Sequence, residues 1–396
     1  MVREGCLLMR KTVRSILTLA LLLPAAALAA MTGAPMVEGT PVKLQCGSAI
    51  LAECRSGQVI FADNADEMRP VASVTKLMTI LLALEALDDG RAAPDDCVTV
   101  SKNASGMGGS QILLDTGETQ TYSQLLKSVI VCSANDSAVA LAEYLYGSED
   151  LFVARMNERA RDLGLERTQF RNCTGLPVAD QHTTARDVAV IAAEVFAHPL
   201  YFTYSGVWLE NFDHSDGRVT QMTNTNKLIR LYDGCDGGKT GSTDEAGYCL
   251  AATAEKNGMR LIAVVLGGTS STARFDSAAA MFDFGFANYR LYPVAEKGTP
   301  VKGGLPVNGG ETDRVPLMLD GELTLLIEKG GENAVELAPD LPEALDAPVE
   351  QGQRVGCVNV SMDGKQVASL DVVAAQSVKA TGLLYLLKRI FGLWCA

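Results

Sequence analysis

Three short motifs stand in order along this chain, and each carries residue types that acyl chemistry needs: Ser73-Val74-Thr75-Lys76, Ser133-Ala134-Asn135 and Lys239-Thr240-Gly241. A serine hydroxyl becomes a strong nucleophile when a base takes its proton. An amine three residues further along a helix lies on the same face, so Ser73 is the candidate nucleophile and Lys76 its base. The start of a helix adds free N–H groups and a positive dipole end, both suited to a developing oxyanion. Ser133 and Asn135 supply a second hydroxyl and an amide on a loop between two helical stretches. Lys239 and Thr240 make a cationic, hydroxyl-bearing anion site on a short strand, where Gly241 removes a side chain that would block a substrate backbone from pairing alongside. The set reads as acyl transfer through a covalent serine ester. Taken singly, each motif has a plainer account as a helix cap or a charged edge strand, and Ser101-Lys102-Asn103 repeats the second pattern. Their order and context carry the reading.

The elements that position these residues are legible in outline. Ala49 to Glu53 and Gln58 to Ala62 read as strands around Arg55-Ser56-Gly57, and the apolar run Leu77 to Leu87 as a buried helix beginning near Ser73. Helical spacing marks Leu125 to Val131, Ser137 to Tyr146, Phe152 to Leu163 and Ala185 to Phe196. After Lys239, Tyr248 to Ala254 and Arg260 to Leu266 flank the hairpin signal Asn257-Gly258, and a closing helix runs from Arg274 to Asn288. Two early and three late strands around a helical middle close most simply as one five-stranded antiparallel sheet covered by helices, an α+β domain over 37–290. A boundary near Tyr292-Pro293 opens a small all-β domain over 291–378, with breaks such as Asn308-Gly309-Gly310 and Asp363-Gly364.

Composition narrows the partners. The 396 residues are 47% hydrophobic and carry a net charge of −13, with no basic cluster in the body of the chain, which disfavours nucleic acid. Arg3, Arg10, Lys11 and Arg14 precede the apolar run Ile16 to Leu23, and Ala27-Leu28-Ala29 follows, the layout of a secretory signal over 1–30. Nine cysteines remain after its removal, an odd number, and they read as mostly free thiols. His182, His198 and His214 are scattered and no Cys-x-x-Cys occurs, so neither a metal nor another cofactor is expected. At the other end, Leu383, Leu384, Leu386, Leu387, Ile390, Phe391 and Trp394 form a helical stripe beside Lys379, Lys388 and Arg389. That segment, 379–396, is too short and charged to span a bilayer and reads as an amphipathic helix lying on the membrane surface.

In its motifs the chain resembles the D-alanyl-D-alanine carboxypeptidases among the low-molecular-mass penicillin-binding proteins. Pro70-Val-Ala-Ser73-Val-Thr-Lys76-Leu-Met-Thr79 and Val131-Cys-Ser133-Ala-Asn135-Asp136 match the family's first two motifs, the latter with alanine where glycine is frequent. Asp236-Gly-Gly-Lys239-Thr-Gly-Ser242-Thr-Asp-Glu-Ala-Gly-Tyr248 matches the third, and Gly108-Gly-Ser110, Gly175-Leu176 and His182-Thr-Thr-Ala-Arg-Asp187 add to it. The resemblance implies that Ser73 attacks the carbonyl between two D-alanines of a peptidoglycan stem peptide, that Lys76 takes its proton, and that N–H groups of Ser73 and Ser242 hold the oxyanion. It further implies that Ser133 relays a proton to the leaving D-alanine, that Asn135 orients Lys76 and the substrate amide, and that Lys239, Thr240, Ser242 and Arg274 receive the terminal carboxylate. β-Lactam antibiotics would acylate the same serine. Attachment to the outer face of the cell membrane is also implied.

The mechanism requires a neutral Lys76, although a free lysine has a pKa of about 10.4. Desolvation and the Lys239 ammonium are the two effects expected to depress it. A Ser-His-Asp triad is a poorer account, since no histidine lies near a motif. The competing readings are a β-lactamase, disfavoured because no Glu-x-x-x-Asn element is found and Glu166 resembles a helix exit, and a catalytically silent peptidoglycan-binding protein.

Overall fold

The computed structural model describes residues 35–382; the signal segment 1–30 and the stripe from Leu383 onward lie outside the described residues. The chain divides between Ala287 and Asn288 into two compact units.

The first unit is built on a five-stranded sheet in the order β2-β1-β9-β8-β7, all neighbours antiparallel. Its strands are β1 (Ser48–Glu53), β2 (Val59–Asp63), β7 (Cys235–Thr243), β8 (Gly247–Lys256) and β9 (Met259–Gly268). Side chains alternate between two buried faces, as strand geometry dictates. Ile50, Ala52, Ala251, Ile262 and Val264 join the main helical core. Leu51 and Leu261 point the other way, toward α6 (Ser271–Asn288), which comes so close at Gly285 that a Cβ there would lie 2.5 Å from Leu261 Cδ1.

The main core surrounds α1 (Lys76–Asp88), a helix apolar on every side and therefore buried on every side. Around it lie α2 (Tyr122–Val131), α3 (Asn135–Tyr146), α4 (Glu149–Asp162) and α5 (Ala185–Phe196). Three of the four start on a side-chain cap: Thr121, Ser148 and Thr184 accept from the N–H groups of Gln124, Leu151 and Asp187. Two small two-stranded sheets flank them, β3 (Cys97–Thr99) with β4 (Thr119–Thr121) and β5 (Leu209–Asp213) with β6 (Val219–Thr223).

The second unit is all-β. A six-stranded sheet has the order β14-β16-β17-β12-β11-β15, and β10 (Tyr289–Ala295) pairs with β13 (Leu323–Glu328). The six strands are β11 (Pro300–Asn308), β12 (Arg314–Leu319), β14 (Val335–Asp340), β15 (Leu345–Asp346), β16 (Arg354–Met362) and β17 (Lys365–Ala374), closing over Val315, Leu317, Val360 and Val372.

Two expected boundaries shift. Tyr292-Pro293 is no linker: Tyr292 and Pro293 face Leu325 and Thr324 inside the β10-β13 ladder, so the division falls a few residues earlier. Nor does a helix begin at Lys379, because Val378 bridges Val349, Ala380 bridges Gly310 and the Thr381 N–H donates to the Gly309 carbonyl. The chain stays extended there because those backbone groups already have partners in the β unit.

Candidate active site

Ser73 sits in a single 3-10 turn, Ala72–Thr75, that leads into α1. The expected helix start is tightened by one turn because Ala72 takes φ +48°, a left-handed conformation costly for any residue with a Cβ. Lys76 still faces Ser73, with Nζ donating to Ser73 Oγ at 2.9 Å. The lysine is fully buried while the serine keeps partial exposure.

Ser133 occupies the loop between α2 and α3, also left-handed at φ +66°. Its hydroxyl accepts from Lys239 Nζ at 2.8 Å. The two lysines are thus each joined to a different serine, and Lys239 also donates to the Thr240 carbonyl at 2.9 Å. Lys239, Thr240 and Gly241 lie on β7, opposite Ala251, Leu250 and Cys249 of β8, with Ser242 exposed at the next position. Arg274, near the start of α6, donates to the Gly241 carbonyl at 3.0 Å and stacks 4.8 Å from the Phe275 ring centroid. All nine predicted residues therefore converge on one cleft, whereas Ser101 of the repeated Ser-x-Asn pattern merely caps a short helix by accepting from the Ala104 N–H.

Three details depart from expectation. Asn135 does not hold Lys76: its Nδ2 donates to the Gly108 carbonyl at 2.6 Å, and the lysine's second partner is the Thr174 carbonyl at 2.6 Å. Gly241 is required by more than an incoming backbone. A Cβ there would stand 2.5 Å from the Val71 carbonyl and 2.8 Å from the Ser73 nitrogen, so the glycine lets β7 press against the nucleophile turn. Lys76 is held near a pKa of about 7 by burial; the charge of Lys76 acts on Lys239, which burial first, then Lys76 and Arg274, push well below its ordinary value.

Sequence reasoning also passed over the supports. Asn172 Oδ1 accepts the N–H groups of Thr174 and Gly175, folding the loop that delivers the Thr174 carbonyl to Lys76. Gly175 has φ +80°, and a Cβ on it would lie 1.9 Å from the Ala72 carbonyl. Buried Asp136 accepts from the Ile112 and Leu114 N–H groups, fixing the loop whose Gly108 holds Asn135. The available signal was Gly175-Leu176 and Asp136 within matching segments, but neither spacing nor residue type announced these contacts. Glu166 is exposed and takes no part in the cleft.

Among the described residues three buried side-chain polar atoms lack a partner: Thr75 Oγ1, Asn135 Oδ1 and Arg274 Nε. All three belong to the motif segments or to Arg274. Buried polar atoms are ordinarily satisfied, so these three are exceptions, and they fall beside the motif residues.

The family described as D-alanyl-D-alanine carboxypeptidase matches residues 34–270. The chain belongs to that family. It is a serine-type peptidase, a hydrolase of the penicillin-binding class. The second unit matches the C-terminal domain of penicillin-binding protein 5 over residues 289–380. The chain is 37% identical to D-alanyl-D-alanine carboxypeptidase DacF of Bacillus subtilis (strain 168) over 348 residues, covering 88% of this chain and 89% of that one. It is 32% identical to the carboxypeptidase DacA of Escherichia coli (strain K12) over 362 residues, 87% and 86% of the two chains. Penicillin-binding protein 5 from Haemophilus influenzae superposes with a TM-score of 0.74 at 31% identity, covering 86% of this chain and 99% of that one.

Gly175→Ala tests the dependence of the nucleophile on its supports. Displacing the Ala72-Ser73 backbone should slow acylation by penicillin about 10²-fold, the penalty of a misplacement near 1 Å. Stopped-flow or gel-based labelling measures it, with far-UV circular dichroism confirming an intact fold; an unchanged rate contradicts the constraint.

Proposed function

We propose that this enzyme removes the terminal D-alanine from peptidoglycan stem peptides through an acyl-enzyme on Ser73. The observation that carries the reading is the 2.9 Å contact between Ser73 Oγ and the amine of Lys76, whose burial lowers its pKa to about 7. With Lys76 deprotonated the contact reverses, the hydroxyl donates, and attack on the carbonyl between the two D-alanines transfers that proton to the amine. N–H groups of Ser73 and Ser242 receive the oxyanion. The C–N bond then breaks, the leaving D-alanine nitrogen takes a proton through Ser133, which Lys239 holds, and water hydrolyses the ester. Lys239, Thr240, Ser242 and Arg274 draw in the terminal carboxylate, and the unpaired Asn135 Oδ1 accepts a substrate amide N–H. β-Lactams enter the same path because their strained amide presents a carbonyl and a carboxylate at matching separation.

The stem-peptide substrate and the signal-like segment 1–30 support a reading in which the enzyme works outside the cytoplasm. No helix among the described residues is long and apolar enough to cross a membrane, and attachment falls to the charged apolar stripe beyond Gly382.

Fluorescent penicillin should label the wild-type chain covalently and Ser73→Ala not at all, and release of free D-alanine from a diacylated Lys-D-Ala-D-Ala peptide should vanish in the same variant. Undiminished labelling of the variant sinks the assignment.

The pH dependence follows from the sign of the shift at Lys76. The competent form is the neutral amine, so acylation should rise with pH through about 7 and flatten above it, and fall tenfold per unit below. Lys76→Met should lose roughly 10²–10⁴-fold and the acidic limb with it. A profile flat between pH 5 and 8 assigns the proton to another group.

Truncation after Gly382, which spares the bridging residues Val378 to Thr381, should leave D-alanine release on soluble peptide intact and abolish cosedimentation with anionic liposomes. Cosedimentation by the truncated protein removes the tail from the membrane.

A further inference from the structure

β7 does not end the cleft at Ser242. The chain continues through Thr243 to Glu245, and there a small recess opens between this segment, the turn at Val71 and Ala72, and the loop carrying Gly175, Val178 and Gln181. Glu245 is the one ionisable side chain lining it. Its carboxylate is exposed and makes no hydrogen bond or ion pair among the described residues. The opposite wall is fixed: Gln181 Oε1 accepts the N–H groups of Arg171 and Asn172 at 2.9 and 3.0 Å, and Gly175 is pressed against Ala72.

The direction of the bound peptide decides what meets this recess. A peptide whose carboxylate lies at Lys239 and Thr240, and whose scissile carbonyl lies between Ser73 and the Ser242 N–H, runs antiparallel to β7. Its N-terminal part therefore advances past Thr243 at about 3.3 Å per residue. The residue preceding the two D-alanines, the third of the stem, lies beside Thr243, and a long side chain on it reaches toward Glu245.

We propose that the rim of this recess is the subsite for the third stem residue, and that Glu245 selects a side chain ending in a free cationic amine. The inference rests on the carboxypeptidase reading above. Val178 lies along the methylene stem while the amine reaches the carboxylate at the rim, the arrangement long cationic side chains adopt on any partly apolar wall. Acylation of that amine, as in a stem already joined to its neighbour, removes the charge and the attraction. A carboxylate on the same side chain opposes binding. The enzyme thereby favours stems that have not been cross-linked.

The test compares D-alanine release by the full-length chain from Nα-acetyl-Lys-D-Ala-D-Ala and Nα,Nε-diacetyl-Lys-D-Ala-D-Ala. The wild type should prefer the free amine by about two- to five-fold in kcat/KM, the range of an exposed ion pair, and the preference should shrink as salt rises. Glu245→Gln should bring the ratio to one and Glu245→Lys should invert it. Release from both peptides at a ratio that neither variant moves overturns the subsite and leaves the carboxypeptidase reading standing. Release from neither by the wild type overturns both.

Discussion

Two lysine amines buried within one cleft, with no carboxylate bonded to either among the described residues, are the constraint around which the first unit is organised. Removing an ammonium from water is expensive unless the site neutralises or solvates it. Here the solvation is supplied by hydroxyls and carbonyls alone: Ser73 and Thr174 for Lys76, Ser133 and Thr240 for Lys239. Such a set stabilises the charged form weakly, so burial lowers the pKa of both amines. A base near neutrality is thus a product of burial, and the burial is a product of packing the apolar run of α1 beneath the motif.

That arrangement requires backbone segments to approach more closely than side chains allow. Gly175 and Gly241 meet the nucleophile turn from two sides, and Ala72 and Ser133 accept left-handed conformations beside it. Strain of this kind, of order 1–3 kcal/mol per residue, persists only where the surroundings over-determine the geometry. The surroundings do so: Asn172 ties one loop, and Asp136 ties another through the N–H groups of Ile112 and Leu114. Farther out, Tyr201 OH accepts the Gly238 N–H at 2.9 Å and steadies β7 just ahead of Lys239.

The parts of this design that repeat a periodic rule were readable in one dimension. The single antiparallel sheet followed from two early and three late strands, and α5 was bounded correctly at Ala185 and Phe196 by its helical spacing. The motif residues were readable because nucleophile, base and anion site demand particular side chains. What stayed hidden was carried by backbone. The Thr174 carbonyl is an atom every residue possesses, so no residue type betrays it. Gly241 was assigned to substrate access because its nearer neighbour, the turn at Val71–Val74, lies far away in sequence. The expected contact of Asn135 with Lys76 was misplaced for a similar reason: its partner at Gly108 is a carbonyl on a loop without periodicity.

β7 closes the sheet at one end, with β8 its one strand neighbour. An open strand edge is ordinarily an invitation to aggregation, since any extended chain can pair with it. The nucleophile turn packed against Gly241, the buried charge-bearing side chain of Lys239 and the walls of the cleft shorten the usable edge to a few residues. A short peptide end fits such an edge, and a second sheet does not. The close packing around the nucleophile turn therefore also guards this edge of the sheet against edge-to-edge pairing.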